Sequence, residues 1–279
     1  DQGFGIDVTW DIPLTEGYEH TFLANKSKNK GTHHFWGIDN RDALEKIDAF
    51  NPDALLIYGW ANKSHLKIIR HYSKQKTIYF RGDSTLLNQK GIIKKILRKI
   101  FLRWIYSHID KAFFVGSRNF DYFIEYGLKE RQLIFAPHSI DNNRFEKAKI
   151  SSEIRNGLNI KNHEVVVLFA GKFTYKKNPI LLIDAFKNIY NSNLHLLLVG
   201  NGELEVQMKD ISNGYANIHY LPFQNQSQMP QIYAACDLFC LPSINETWGL
   251  AINEAMASGK ALLASDSVGC AIDLVQDNY

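Results

Sequence analysis

Residues Leu241 to Gly259 read L-P-S-I-N-E-T-W-G-L-A-I-N-E-A-M-A-S-G, and the reading of the whole chain turns on them. Asp237 to Leu241 is a short apolar run that predicts a buried strand, Pro242 to Gly249 is a polar loop closing on glycine, and Leu250 to Ser258 is built from helix formers. Gly259 stands where a left-handed residue commonly ends a helix. In a strand, loop and helix joined this way, the first amides of the helix have no internal acceptor and carry partial positive charge. Such a junction suits a phosphate or diphosphate, and Gly249 puts no side chain between an anion and the backbone.

Two carboxylates bracket that place. Glu254 lies one turn beyond Leu250 on the same helix face, and Glu246 lies in the loop before the helix. Carboxylates accept hydrogen bonds from hydroxyls and repel phosphate oxygens. The ligand that fits has a diphosphate in the middle and hydroxyl-rich groups at both ends, which describes a nucleotide sugar. The plainer alternative is a capped surface helix with two solvated glutamates.

The surroundings of the two glutamates narrow that choice. Trp248-Gly249-Leu250 stands between them and Ala255-Met256-Ala257-Ser258-Gly259 follows, with Leu241-Pro242-Ser243 ahead and a strand-like Lys260 to Ser265 behind. This resembles the Glu-x7-Glu motif of the retaining glycosyltransferases of family 4. The resemblance implies an α/β protein of two Rossmann-like domains whose parallel sheets face across a cleft, the GT-B fold. It implies that Glu254 binds the ribose hydroxyls, that Glu246 contacts the transferred sugar, and that the amides of Trp248, Gly249 and Leu250 hold the diphosphate. It implies no metal and no other cofactor, the donor being the nucleotide diphosphate sugar itself.

Composition sets the outer bounds. The chain has 279 residues, 45% hydrophobic and 22% charged, an ordinary globular balance with length for two domains of about 100–200 residues each. A net charge of +3 gives no bulk attraction to nucleic acid. Cys236, Cys240 and Cys270 are an odd set with no partner in the first 235 residues. They read as small core residues in a reducing compartment, so we expect a cytoplasmic protein, at the inner face of a membrane if its acceptor is lipid-linked. The chain opens at Asp1-Gln2-Gly3 without Met and closes at Asn278-Tyr279, just after an Asp-Leu-Val element. We expect a piece of a longer protein lacking both ends.

Along the chain, short apolar runs alternate with helical patterns. Residues 1–40 are weakly patterned, with strands expected at Ile6 to Trp10 and Thr21 to Leu23. Helical spacing at Arg41 to Phe50 precedes a run at Ala54 to Tyr58 that reads as a buried strand. A helix at Ser64 to Tyr72, a strand at Thr77 to Phe80, a basic helix, a strand at Lys111 to Val115, a helix at Arg118 to Tyr126 and a strand at Leu133 to Ala136 follow. Pro137 to Asn162 is polar and Lys-rich and reads as a linker, its first part, Pro137 to Asp141 and then Phe145, resembling the family's interdomain turn. The second half repeats the rhythm with strands at Val165 to Ala170, Leu194 to Val199, Ile218 to Leu221, Leu238 to Leu241 and Ala261 to Ala264. This is the pattern of βα units in parallel sheets. Two domains are expected: residues 1–150 on the acceptor side, and residues 151–279 binding the nucleotide sugar.

Further residues carry chemistry under the resemblance. Gly171-Lys172-Phe173-Thr174-Tyr175-Lys176-Lys177 follows a strand, and Lys172 and Lys177 match the positions of the family's Arg and Lys, which stabilise charge on the leaving nucleotide. Gly171 and Gly200 are expected to line the donor pocket, and Phe223 opens the loop beside the nucleobase. Gly200-Asn201-Gly202 lacks the third glycine of a dinucleotide-binding loop. Arg81 and Asp83 follow a strand of the first half and are candidates for the face that meets the transferred sugar, unless they only hold their loop. Lys90 to Ser107 is a basic amphipathic helix. Its ordinary reading turns the apolar face to the core and the lysines to water; its other reading is peripheral membrane contact.

The activity expected is transfer of a sugar from a nucleotide sugar to a glycan or lipid-linked acceptor hydroxyl, in polysaccharide or glycolipid synthesis of the bacterial type. Rivals are a nucleotide-sugar epimerase of the same fold, a phosphorylase, and a non-catalytic nucleotide-binding module. The last draws support from two missing features: a Gly-rich loop after the first strand, and a closing helix beyond Asp277.

Overall fold

The computed structural model describes residues 8–87, 91–148, 152–189 and 191–275. The chain divides into two compact units, Gly17–Pro137 in one and His138–Tyr279 with Asp1–Glu16 in the other. The change of unit lies at 137/138, ahead of the 150/151 boundary drawn from the sequence.

The Gly17–Pro137 unit runs α1 (Ala43–Phe50), β1 (Ala54–Tyr58), α2 (Lys63–Tyr72), β2 (Thr77–Arg81), α3 (Ile92–Tyr106), β3 (Lys111–Phe114), α4 (Ser117–Glu125) and β4 (Leu133–Phe135). The four strands are parallel and stand in the order β1-β2-β3-β4. Ile78 and Phe80 of β2, Ala112 of β3, Leu102 and Ile105 of α3 and Phe123 of α4 form the core. β1 departs from the expected buried strand. Ile57 faces the core, but Leu56 and Tyr58 are exposed, because β1 is an edge strand whose other face has no covering layer among the described residues. No strand forms at 8–10 or 21–23, and Ile6 and Asp7 lie outside the described residues.

The other unit runs α5 (Asn142–Glu146), α6 (Ser152–Gly157), β5 (Val165–Ala170), α7 (Pro179–Lys187), β6 (Leu194–Val199), α8 (Glu205–Ile211), β7 (Ile218–Leu221), α9 (Met229–Ala234), β8 (Leu238–Leu241), α10 (Leu250–Ala257), β9 (Ala261–Ala264) and α11 (Ala271–Leu274). Its five parallel strands stand in the order β7-β6-β5-β8-β9. Val166 to Ala170 and Leu196 to Val199 are buried throughout, as central strands covered on both faces must be. The chain builds outward from β5 through β6 to β7, then returns to the other side of β5 with β8. That reversal is a switch point, where the loops at the C-terminal strand ends part and leave a crevice.

The expected linker is largely structured. Arg155 of α6 is buried, and its guanidinium donates to the Glu164 carbonyl at 2.6 Å and to Asp237 Oδ2 at 3.0 Å. Asp237 Oδ2 also accepts from the Val166 amide at 2.8 Å, which ties α6 to the starts of β5 and β8. α5 packs against α9 and α10, with the Phe145 ring 5.8 Å from that of Tyr233. The three cysteines are buried and free. Among the described residues no helix is long and apolar enough to cross a membrane.

Candidate functional site

The loops that leave β5, β6 and β8 share one end of the second sheet, since these strands are parallel neighbours. Gly171 donates its amide to the Val199 carbonyl at 2.9 Å. A Cβ on Gly200, whose φ is +144°, would come within 1.9 Å of the Gly171 carbonyl oxygen, so only glycine lets these loops touch. The next turn locks as well: the Phe173 amide donates to the Asn201 carbonyl at 2.9 Å. The Asn201 side chain accepts from the Phe223 amide and donates to Glu205 at 3.2 Å. Gly200-Asn201-Gly202 is thus a brace between two loops.

The loop after β5 also meets the loop after β8. The Ile244 amide donates to the Lys176 carbonyl at 3.0 Å, and the Lys177 ammonium pairs with Glu246 Oε2. Glu246 is held by its own backbone too, its amide donating to the Ser267 carbonyl at 3.0 Å and its carbonyl accepting from the Gly269 amide at 3.0 Å. A Cβ on Gly269 would lie 1.8 Å from the Thr247 carbonyl oxygen. Gly249 caps α10 with φ +99°, and a Cβ there would come within 2.8 Å of Val268 Cγ1. The loop after β9 therefore clamps the segment from Glu246 to Gly249 against the start of α10.

α10 then contributes two side chains with different fates. Trp248, just before the helix, is buried; its indole donates to Asn253 at 2.8 Å and its ring lies 5.7 Å from His138. Its side chain is thus engaged within the unit, which leaves only its backbone amide to face the helix start. Glu254 is only 8% exposed and accepts the Tyr233 hydroxyl at 2.8 Å. Burial raises the pKa of its carboxyl, and the Tyr233 hydrogen bond and the Arg144 charge pull the other way. Burial, and then Glu254, push the Tyr233 phenol well above its usual range.

A cavity of about 160 Å³ gathers Gly171, Gly200, Phe223, Tyr233 and Glu254, and Trp10 also lines it. The Trp10 ring is 6.5 Å from that of Phe223. Its segment is fastened by Asn225, which donates to the Thr9 carbonyl at 2.7 Å, and by Asp11, which accepts from the Ser227 amide at 3.0 Å. An anion at the start of α10, a hydroxyl-rich group at Glu254 and a flat ring near Phe223 and Trp10 would all lie at this one end of the sheet.

The expected residues thus fall into four sets. Gly171, Gly200, Phe223 and Glu254 share the cavity, and Lys177 pairs with Glu246 beside the helix start occupied by Trp248, Gly249 and Leu250. Lys172 is half-buried at the start of its loop. Arg81 and Asp83 belong to the other unit, and the Arg81 guanidinium donates to the carbonyls of Ala136 at 2.9 Å and Pro137 at 3.3 Å, which ties the end of β2 to the segment after β4. Sequence reasoning missed Arg144, whose guanidinium donates to Gln226 at 2.8 Å and stacks 4.8 Å from the Phe145 ring. It also missed Asn201, Trp10 and the clamp at 265–270, for which the turn-forming run Ser265-Asp266-Ser267-Val268-Gly269 was the available signal. Among the described residues no group of three or more His, Cys, Asp or Glu is placed to hold a metal ion.

Two parallel α/β sheets, the second with its crevice at a switch point, define a protein of the GT-B fold. The solved structure of Anabaena Alr3699/HepE in complex with UDP superposes with a TM-score of 0.67 at 21% identity, covering 84% of this chain and 65% of that one. Residues 150–279, which hold nearly the whole of the site, match the family described as glycosyl transferases group 1. The lipopolysaccharide 1,2-N-acetylglucosaminetransferase of Salmonella typhimurium is 32% identical over 136 residues, which are 44% of this chain and 36% of that protein. The UDP-Gal:α-D-GlcNAc-diphosphoundecaprenol α-1,3-galactosyltransferase of Escherichia coli is 30% identical over 145 residues, 48% of this chain and 36% of that protein. The matched stretch therefore spans little more than a third of either relative.

Proposed function

We propose that the protein is a retaining glycosyltransferase that moves a sugar from a nucleotide diphosphate sugar to an acceptor hydroxyl. The observation that carries this is the convergence, at one switch point, of the Gly249-led helix start, the buried Glu254 and the Lys177–Glu246 pair, within the segment that matches the family. Glu254 accepts the ribose hydroxyls, and Tyr233 and Arg144 keep its carboxylate available. The amides of Trp248, Gly249 and Leu250 hold the diphosphate, with Lys172 and Lys177 adding positive charge where the leaving group gains negative charge. Arrival of the diphosphate draws Lys177 toward phosphate and leaves Glu246 to accept from the sugar hydroxyls. In the transfer step the acceptor oxygen bonds to the anomeric carbon on the face the nucleotide leaves. The bond from that carbon to the phosphate oxygen breaks, and the acceptor proton passes to a donor phosphate oxygen. Helix amides and lysines supply the positive charge, so the step uses no metal and no further cofactor.

Uridine is the base we assign. It is supported by the UDP in the Anabaena complex and the UDP-Gal in the name of the E. coli relative. The acceptor we assign is a glycan or lipid-linked glycan in polysaccharide or glycolipid synthesis, after the diphosphoundecaprenol-linked acceptor in that same name. A lipid-linked acceptor places the reaction at the cytoplasmic face of a membrane, and residues 90–107 are the segment assigned to meet it. Arg81 and Asp83 are assigned to the sugar and acceptor side.

The test is a calorimetric titration with UDP, GDP and ADP, with and without Mg²⁺, on the wild type and on Glu254→Ala. Metal-independent binding of UDP, weakened in the variant, supports the reading. Absence of binding by all three nucleotides overturns it.

A further inference from the structure

α3 reverses the arrangement expected of a domain helix. At 3.6 residues per turn, Ile92, Ile93, Ile96, Leu97, Ile100 and Trp104 share one half of its surface, and Leu102, Ile105 and Tyr106 share the other. The three residues of the second set are the buried ones. The apolar stripe faces outward, with Ile92 78%, Ile93 75%, Leu97 62% and Ile100 65% exposed. The sequence expectation of an apolar face in the core is overturned along this helix, while Lys94 and Lys95 are exposed as expected. The last turn anchors it, and its first turns stand out from the unit with their aliphatic side chains uncovered.

The charges on α3 have one sign. Lys94, Lys95, Arg98, Lys99 and Arg103 lie on it, and Ile92–Tyr106 contains no Asp or Glu. On the helical wheel Lys94 borders the stripe on one side and Lys99 on the other, Arg103 falls within it between Ile92 and Ile96, and Lys95 and Arg98 lie on the opposite half. Lys99 pairs with Glu125 at 2.7 Å, and Arg98 donates to the Tyr122 hydroxyl at 3.1 Å. The stripe ends in aromatics: the Phe101 ring lies 5.8 Å from Trp104 and 5.4 Å from Trp60, and the Arg70 guanidinium sits 5.6 Å over the Trp104 ring.

We propose that α3 docks the protein on an anionic lipid surface, with the stripe from Ile92 to Trp104 sunk among the headgroups and the flanking lysines and arginines on lipid phosphates. An aliphatic stripe bordered by cations, without acids and closed by Trp, matches a helix lying in the membrane interface. A protein partner would need acidic groups set against these particular cations, whereas an anionic bilayer offers negative charge at every position along the helix. The proposal deepens the membrane-face reading and rests on it for the place of reaction, but it is independent of the donor site, which belongs to the other unit.

The experiment is co-sedimentation with vesicles of phosphatidylcholine, with and without phosphatidylglycerol, with Trp fluorescence recorded on the same samples. The wild type is expected to bind the vesicles containing phosphatidylglycerol, to blue-shift its Trp emission, and to release as salt is raised. Lys94→Gln should weaken binding roughly fivefold, the effect of one cation removed from the membrane face. Ile93→Ser with Ile96→Ser and Ile100→Ser should abolish it. Both variants change exposed side chains, so far-UV circular dichroism and UDP affinity should match the wild type. No sedimentation of the wild type, equal binding with and without the anionic lipid, or full binding by the triple Ser variant would overturn the proposal. So would a wild type that is larger in gel filtration than the triple variant, which would mean that a second copy covers the stripe. Vesicle binding without UDP binding would sink the donor reading alone, and UDP binding without vesicle binding would sink this one alone.

Discussion

The two sheets use the same βα repeat and end differently. In the first, the strands add one after another in chain order, and Arg81 at a strand end donates to the carbonyls of Ala136 and Pro137. In the second, the chain turns back across β5, and the loops after β5, β6 and β8 are held against one another by glycines that admit no side chain. A sheet laid down in one direction has no switch point among these strands. The sheet that reverses leaves a crevice, and there the sequence places its carboxylates, lysines and exposed amides. The difference lies in strand order.

The largest test of this contrast is Gly200→Ala. The new Cβ cannot coexist with the Gly171 carbonyl, so the variant should lose about 3 kcal/mol of stability in urea denaturation and lose nucleotide binding with it. Unchanged stability would show that the loops are not braced as described. Next comes Glu254→Ala, expected to lower UDP affinity by roughly 10–100-fold in calorimetry, the worth of hydrogen bonds to a charged group.

The titration of Glu254 sharpens the same point. Its carboxyl has a raised pKa in the folded protein, so the stability it contributes is present below the ordinary Glu value of 4.5 and is lost as pH rises through the folded value. Glu254→Gln should therefore stabilise the protein modestly at neutral pH, with the gain vanishing in acid, as thermal melts across pH would show. UDP affinity of the wild type should rise with pH over that window, because the ribose hydroxyls need the ionised acceptor. A flat affinity profile would break the assignment of Glu254 to the ribose. The smallest effect is expected at the first sheet. Arg81→Gln should cost about 1 kcal/mol through its lost backbone hydrogen bonds and leave UDP affinity unchanged.

Much of this was legible in residue order. The apolar runs at Val165 to Ala170 and Leu194 to Val199 became β5 and β6 at the same bounds, because strands buried on both faces read as near-continuous apolar runs, interrupted here only by His195, which pairs with His219. Glu246, Gly249 and Glu254 could be assigned to one site because a helix and the loop just before it keep such neighbours together. The supports were harder to see. Arg144 acts on Gln226, Asn201 on Phe223 and the 265–270 clamp on Glu246, all partners well beyond one helical turn or strand. Their hydrogen bonds leave no periodic trace. α5 and α6 are short and polar, which made them resemble a linker, although Arg155 is locked under β5 and β8.

By itself, the sequence determined the secondary structure of the second sheet, the helix start with its two glutamates and the family resemblance, because local spacing and burial pattern are written residue by residue. Tertiary structure alone decided that Lys177 and Glu246 are a pair, that Glu254 is buried against Tyr233, and that Arg81 donates to the carbonyls of Ala136 and Pro137. It also decided which way α3 faces. A helical wheel shows that an apolar stripe exists, but whether that stripe meets a core or the surroundings depends on where the neighbouring elements stand.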